Sequence, residues 1–125
     1  MSVPEDLQYT RSHEWVRTDG DTATIGITEH AQEELGDVVF VELPDEGATI
    51  DAGESFGTVE SVKAVSDLYA PVGGEVIEVN SSLEDAPEKI NDDPYGEGWI
   101  VRLRTSEEAD LLSPEEYEKV VEEES

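Results

Sequence analysis

Short runs of alternating apolar and polar residues recur along this chain, and each run ends at a turn signal. Residues 22–27, for example, alternate after the turn formed by Asp19, Gly20 and Asp21. A period of two residues is typical of a strand that buries one face, and clusters of Gly, Pro, Asn and Asp mark turns. The pattern predicts strands over residues 22–27, 38–43, 56–62, 64–69, 75–79 and 99–104. Short strands at this spacing predict a mostly β fold, either a sandwich or a barrel.

Helix signals interrupt the strand pattern in two places. Thr28 can cap a helix over residues 29–35, and Gly36 can end that helix with a positive φ. Near the C-terminus, Ser113 precedes Pro114 and lies three residues before Glu116, which is the spacing of a capping box. We therefore predict a C-terminal helix over about 113–124. Residues 81–98, which are rich in Asp, Pro and Asn, are predicted to form a long ordered loop.

Length and composition narrow the class of protein further. The 125 residues have the size of one domain, which we predict to span residues 1–125. The chain contains no cysteine, which excludes disulfides, zinc–thiolate sites, iron–sulfur clusters and a thiol nucleophile. No apolar run approaches the roughly 20 residues of a membrane helix, and the first ten residues lack a secretion signal. We expect no membrane association and a cytoplasmic location.

The excess of acidic over basic residues limits which classes of partner the chain can bind. The net charge of −26 comes from 33 acidic and 7 basic residues. Nucleic acids and anionic lipids are bound by Lys and Arg, so this charge argues against both partners. The acids are spread along the chain among apolar residues, which indicates an acidic surface on a folded core and not a disordered tail. This composition resembles that of proteins from salt-accumulating halophiles, and we expect the source to be a halophilic archaeon.

One lysine stands out because lysine is nearly absent from this chain. Only Lys63, Lys89 and Lys119 occur, and Lys63 lies between two predicted strands, at the tip of a hairpin over about 56–69. A plain surface lysine is one interpretation. A Schiff-base lysine is a second, but it needs burial to lower its pKa from about 10.4. An exposed amine that is acylated by the carboxylate of a cofactor fits a hairpin tip better.

The residues around Lys63 belong to a longer ordered set of motifs. These are residues 12–16 (SHEWV), 23–32 (ATIGITEHAQ), 35–44 (LGDVVFVELP), 57–71 (GTVESVKAVSDLYAP), 74–80 (GEVIEVN), Asn91, 94–95 (PY) and 98–99 (GW). In this order they cover nearly the whole chain, which resembles the glycine cleavage H-protein family, the lipoyl carriers of that system. Gly73 departs from the serine that is usual in the family, in a turn that carries no chemistry.

The resemblance implies a fold, a cofactor and partners. The fold is a lipoyl/biotinyl-type barrel–sandwich hybrid with short peripheral helices and a C-terminal helix, and lipoate is attached covalently to Lys63. The implied role is non-catalytic. The carrier takes the aminomethyl group of glycine from glycine decarboxylase to a tetrahydrofolate-dependent aminomethyltransferase, and dihydrolipoamide dehydrogenase then reoxidises it. A lipoate ligase or lipoyl transferase loads it, and the family is usually monomeric.

The resemblance also implies a cleft that holds the loaded arm. The matching positions are Ser12, Glu14 and Asp67, whose oxygens suit the cationic end of the arm. An alternative function with the same lysine is donation of the lipoyl group to 2-oxoacid dehydrogenase subunits. A biotin carrier is disfavoured, because its lysine normally lies between methionines and here the neighbours are Val62 and Ala64.

Two further groups of residues have ordinary explanations. The adjacent Ser12, His13 and Glu14 do not suggest a hydrolase triad, because triads are assembled from distant positions. His13 and His30 do not form an i, i+4 pair, so we favour surface or capping roles over metal binding and predict no metal site.

The charge predicts salt-dependent folding. The 26 surplus negative charges on one small domain repel one another. This repulsion weakens with added salt, because the Debye length shrinks from about 10 Å at 0.1 M salt to about 3 Å at 1 M. We expect the thermal unfolding midpoint to rise steeply with KCl concentration when it is followed by circular dichroism. A midpoint that stays level between these concentrations would contradict this account.

Overall fold

The computed structural model describes residues 3–105 and 111–124, and within them two antiparallel sheets form the molecule. The larger sheet contains β1 (Gln8–Tyr9), β2 (Glu14–Asp19), β3 (Thr22–Ile27), β5 (Thr49–Ile50), β8 (Gly74–Val79) and β9 (Val101–Arg104). The smaller contains β4 (Val38–Glu42), β6 (Ser55–Ser61) and β7 (Val65–Tyr69). Their spatial orders are β1-β2-β3-β9-β8-β5 and β4-β6-β7. The predicted mostly β barrel–sandwich hybrid is confirmed.

All six predicted strands are present, with bounds that differ by at most two residues. Three further strands were not predicted. β1 and β5 have two residues each, too few to show a period. β2 buries its first three residues and exposes its last three, so it does not alternate. Its place in the sheet depends on pairing with β3 along its whole length.

The predicted helix starts and stops are also observed. In α1 (Glu29–Leu35) the Thr28 hydroxyl accepts a hydrogen bond from the Ala31 amide at 3.2 Å, and Gly36 has a φ of 80°. In α4 (Pro114–Glu124) the Glu116 amide donates to the Ser113 hydroxyl at 3.2 Å, and the Ser113 amide donates to Glu116 Oε1 at 2.9 Å. The hydrogen bond from the Ser113 amide lowers the pKa of Glu116, because it favours the carboxylate form.

The prediction of a loop over residues 81–98 is wrong in part. Two one-turn helices lie there, α2 (Ser82–Asp85) and α3 (Lys89–Asp92), and they bury Leu83 and Ile90. Four residues are too few for a 3.6-residue period to appear in the sequence, so tertiary packing decides these helices. No helix within the described residues is long and apolar enough to cross a membrane.

The core has two parts. The larger part fills the space between the sheets with aliphatic side chains, among them Ile25, Val59 and Leu103. The smaller part is aromatic and packs α4 against β1 and β2 through Tyr9, Trp15, Tyr117 and their neighbours. The chain ends are thereby joined, because the rings of Tyr9 and Tyr117 stack with centroids 4.7 Å apart.

A close approach on the larger sheet fixes the position of Trp15. Gly26 pairs with Trp15 across β2 and β3, and a Cβ atom at Gly26 would lie 2.6 Å from the indole ring. The ring is fully buried, and its Nε1 donates to the Pro94 carbonyl at 2.8 Å. The indole therefore has no room to move away without breaking that hydrogen bond.

This packing predicts that Gly26→Ala destabilises the fold. Overpacking of a core costs about 1–3 kcal/mol, and we expect a loss of that size in the free energy of unfolding measured by urea denaturation. Thr18→Ala, an exposed position on the neighbouring strand, is the control and should change stability by about 0.5 kcal/mol or less. Equal effects for the two variants would contradict the tight packing of Trp15.

Candidate functional site

Lys63 lies at the tip of the β6–β7 hairpin, within residues 62–64 that connect the two strands. The Ser61 amide donates to the Ala64 carbonyl at 2.8 Å, which closes the loop around Val62 and Lys63. The Ser61 hydroxyl oxygen accepts from the Lys63 amide at 3.3 Å and from the Ala64 amide at 3.0 Å. Ser61 is buried while Lys63 is exposed. The backbone of the tip is thus held in place from within, and the lysine amine extends into solvent.

The tip also rests on the connection between α1 and β4. The Val62 amide donates to the Asp37 carbonyl at 3.0 Å, and a Cβ atom at Gly36 would lie 3.4 Å from Lys63 Cε. Asn91 holds this connection in place through two hydrogen bonds. Its side-chain amide donates to the Gly36 carbonyl at 2.8 Å, and its side-chain oxygen accepts from the Val38 amide at 2.9 Å. The methylene stem of Lys63 therefore lies across a braced loop.

Next to the hairpin is a cleft of about 460 Å³. One wall is β7 with Ala64, and the opposite wall is α1 with the turn that precedes β2. The predicted cleft residues Ser12, Glu14 and Asp67 all line this cavity. Ile27, Ala31 and Leu35 give the same cavity an apolar part. The structure thus brings Asp67 together with Ser12 and Glu14, which lie more than fifty positions before it in the sequence.

The three cleft residues differ in exposure. Ser12 and Asp67 are exposed, whereas Glu14 is only 2% exposed. Glu14 Oε1 accepts hydrogen bonds from the hydroxyls of Thr10 at 2.7 Å and Ser12 at 2.5 Å, and Oε2 lies 3.5 Å from the Tyr69 amide nitrogen. Burial raises the pKa of Glu14, and these hydrogen bonds oppose the rise in part.

Glu14 has no cationic partner within residues 3–105 and 111–124, where the ion pairs involve other acids. A buried carboxylate is costly to ionise, and the three hydrogen bonds that Glu14 accepts offset this cost only in part. The carboxyl group of Glu14 is therefore prepared to gain free energy from a cation that enters the cleft. A second cavity, of about 660 Å³, shares Ser12 and Glu14 and continues past Tyr69.

A cluster of titratable side chains at the cleft was not predicted. His13, His30 and Glu124 each place one potential ligand atom within 4.8 Å of the other two. Of the surface or capping roles expected for the two histidines, the surface role does not hold for His30, because only 8% of this residue is exposed. Glu124 lies 111 positions from His13, so no local sequence pattern could reveal the contact.

A second unpredicted feature surrounds the hairpin. The exposed large hydrophobic side chains of the described residues are Val39, Phe40, Val62, Val65 and Tyr69, and all five belong to the smaller sheet or its hairpin tip. We call them the apolar sheet face. Strand register places Phe40, Glu60 and Val65 side by side across β4, β6 and β7. Apolar side chains and carboxylates therefore alternate on the surface beside Lys63.

Comparisons with known proteins agree over nearly the whole chain. The family described as glycine cleavage H-protein matches residues 7–124. A glycine cleavage system H protein of Rubrobacter xylanophilus is 71% identical over 122 residues, which cover 98% of this chain and 97% of that protein. A probable glycine cleavage system H protein of Haloarcula marismortui is 60% identical over 125 residues, which cover 98% of each.

A solved structure shares the fold. The crystal structure of a glycine cleavage system H protein from Mycobacterium marinum superposes with a TM-score of 0.89 and 46% sequence identity, and the match covers 94% of this chain and 97% of that one. The halophilic archaeal source stays a prediction, since the relatives come from several kinds of organism. With sequence, length and fold in agreement, this chain belongs to the glycine cleavage H-protein family.

Proposed function

We propose that this chain acts as the lipoyl-carrying shuttle of the glycine cleavage system through a lipoyl group joined in an amide bond to Lys63. The observation that carries the proposal is the pairing of an exposed amine on a braced hairpin tip with an adjacent cleft that holds a buried carboxyl group. The lipoyl group, when attached, supplies the sulfur chemistry. The residues of the chain supply attachment, orientation and protection, which is the work of a non-catalytic carrier.

The position of Lys63 supports its use as the attachment point. An acylating enzyme must reach the amine, and Lys63 is exposed at a tip whose backbone is held by Ser61. Lys89 lies instead in α3 and is half-buried, and Lys119 lies on α4. A lysine within a helix presents its amine beside neighbouring side chains, whereas a hairpin tip can enter an active site.

The residues of the cleft fit a cationic arm. The apolar side chains of Ile27, Ala31 and Leu35 can receive the hydrocarbon part of the arm. Glu14 can pair with an ammonium group, and this pairing would lower the pKa of a carboxyl group that burial has raised. Charge-assisted hydrogen bonds are stronger than neutral ones, particularly where water is excluded. Asp67 and Ser12 complete the polar end of the cleft.

The apolar sheet face supports the proposed partners. Glycine decarboxylase, the aminomethyltransferase, dihydrolipoamide dehydrogenase and the lipoate ligase or lipoyl transferase must each approach Lys63. Val62 and Val65 flank that lysine, and each is about two-thirds exposed, at 68% and 65%. Exposed apolar residues grouped on a charged surface mark interaction sites. We propose a monomer in the cytoplasm that presents this face to one enzyme at a time.

Incubation with a lipoate ligase, ATP and lipoate should modify one residue, Lys63. Peptide mapping by mass spectrometry should place the added mass there, because the other two lysines lie in helices. Lys63→Arg should abolish the modification, whereas Lys119→Arg, the matched control, should leave it unchanged. Lipoylation of Lys63→Arg at another lysine would refute the assignment.

Glu14 and Asp67 should prolong the lifetime of the aminomethyl-loaded carrier when tetrahydrofolate is absent. Loss of a charge-assisted hydrogen bond costs about 1.5–3 kcal/mol, so Glu14→Gln should shorten the half-life about tenfold or more. Asp67→Asn should shorten it less, because Asp67 is exposed. The half-life is measured at high salt from the rate at which the loaded carrier releases ammonia.

The control for this experiment is Glu115→Gln, an exposed acid in the first turn of α4. This variant makes the same change in net charge at a site that does not line the cleft. The thermal midpoint of each variant shows whether the cleft is still folded. If the Glu14 and control variants release ammonia at the same rate, these carboxylates do not hold the arm.

A further inference from the structure

His13, His30 and Glu124 come from three separate elements and meet at the cleft. His13 lies in the turn before β2, His30 in α1 and Glu124 at the end of α4. Glu124 Oε1 is 2.9 Å from His13 Nε2 and 3.9 Å from His30 Nε2. All three residues line the cavity of about 460 Å³. Two imidazoles and one carboxylate therefore converge on one point that is open to the cleft.

The separations suit a metal ion. Zinc binds imidazole nitrogen and carboxylate oxygen at about 2.0–2.2 Å in tetrahedral geometry, which places the ligand atoms about 3.3 Å apart. The observed separations of 2.9 and 3.9 Å lie on either side of that value, and no pair exceeds 4.8 Å. The three ligand atoms therefore lie near the spacing of a tetrahedral zinc site.

A hydrogen-bond chain behind His13 holds the orientation of its imidazole ring. His13 Nδ1 is 2.8 Å from the Tyr117 hydroxyl, which is 2.6 Å from the Thr28 hydroxyl. Without an ion, His13 Nε2–H can donate to Glu124 Oε1. With an ion bound, Nδ1–H would donate to the Tyr117 hydroxyl, and the Nε2 lone pair would face the ion. Histidines that bind metals are oriented in this way, by a partner that accepts from the second ring nitrogen.

The backbone and the burial of the cluster indicate that its side chains are already ordered. His13 has a φ of 70°, and it is the one non-glycine residue with a positive φ in the described part of the chain. The His30 imidazole is largely buried, and Glu34 Oε1 lies 3.8 Å from its Nε2, so a second carboxylate is within reach. Ligands that are already ordered lose little conformational freedom when a cation binds.

We propose that His13, His30 and Glu124 form a binding site for a divalent cation of the zinc class, with an open coordination position that faces the cleft. The imidazole ligands select zinc and similar transition metals over magnesium and calcium, which prefer oxygen. The bound ion would join the last turn of α4 to α1 and to the turn before β2. This site is independent of the lipoyl group and of the proposed role of Lys63.

The test uses the full-length Lys63→Arg protein, so that no lipoyl sulfur is present, in about 0.5 M KCl, which screens the acidic surface. Cobalt(II) serves as the spectroscopic probe and zinc as the competitor. We expect one cobalt per chain, with the visible absorption of a four- or five-coordinate site, and stoichiometric displacement by zinc. The thermal midpoint should rise with zinc, because the ion binds only the folded chain.

Two variants and one control locate the site. His30→Gln and Glu124→Gln should each weaken cobalt binding about tenfold or more and reduce the visible absorption. Glu123→Gln, an exposed neighbour with the same change in charge, should bind like the parent protein. Binding that does not saturate at one ion, or equal affinity in all the variants, would show diffuse attraction to the acidic surface and refute the site. Absence of cobalt binding would refute it as well.

Discussion

The hydroxyl group of Tyr117 is the point on which the cleft depends. It lies in the aromatic core, within hydrogen-bond distance of His13 and Thr28, and burial raises its pKa. Thr28 caps α1 and His13 precedes β2, so one phenol from the C-terminal helix fixes both elements that face β7 across the cleft. A buried hydroxyl must keep its partners or pay a desolvation cost, so the three elements hold one another in register.

Local signals in the sequence were sufficient for much of the fold. Thr28 and Ser113 begin helices because their hydroxyls accept from amides that lack a helical partner, and this depends only on residues three positions away. Short strand-like runs cut by turns located the strands on either side of Lys63 for a similarly local reason. β1 and β5 escaped prediction because two residues carry no period, and α2 and α3 because a single turn is stable only when Leu83 and Ile90 are packed.

The resemblance supplied the residues of the candidate site but not their physical chemistry. Lys63, Ser12, Glu14 and Asp67 could be selected from a resemblance, yet nothing in a chain with 33 acids singles out Glu14 as the buried one. That property arises when Thr10, Ser12 and the Tyr69 amide surround it, which requires the pairing of distant segments. The cluster of His13, His30 and Glu124 was missed for the same reason, because α4 returns to the start of the chain only in the folded state.

The alternation of Phe40, Glu60 and Val65 across the smaller sheet has a kinetic consequence. A carrier that serves several enzymes must leave each one quickly, and residence time grows with the continuous apolar area that a partner covers. A carboxylate between two apolar side chains interrupts that area, while it still attracts a basic enzyme from a distance. With partners docked as proposed, the face would combine rapid encounter with rapid dissociation, which would limit how long any one enzyme occupies the hairpin.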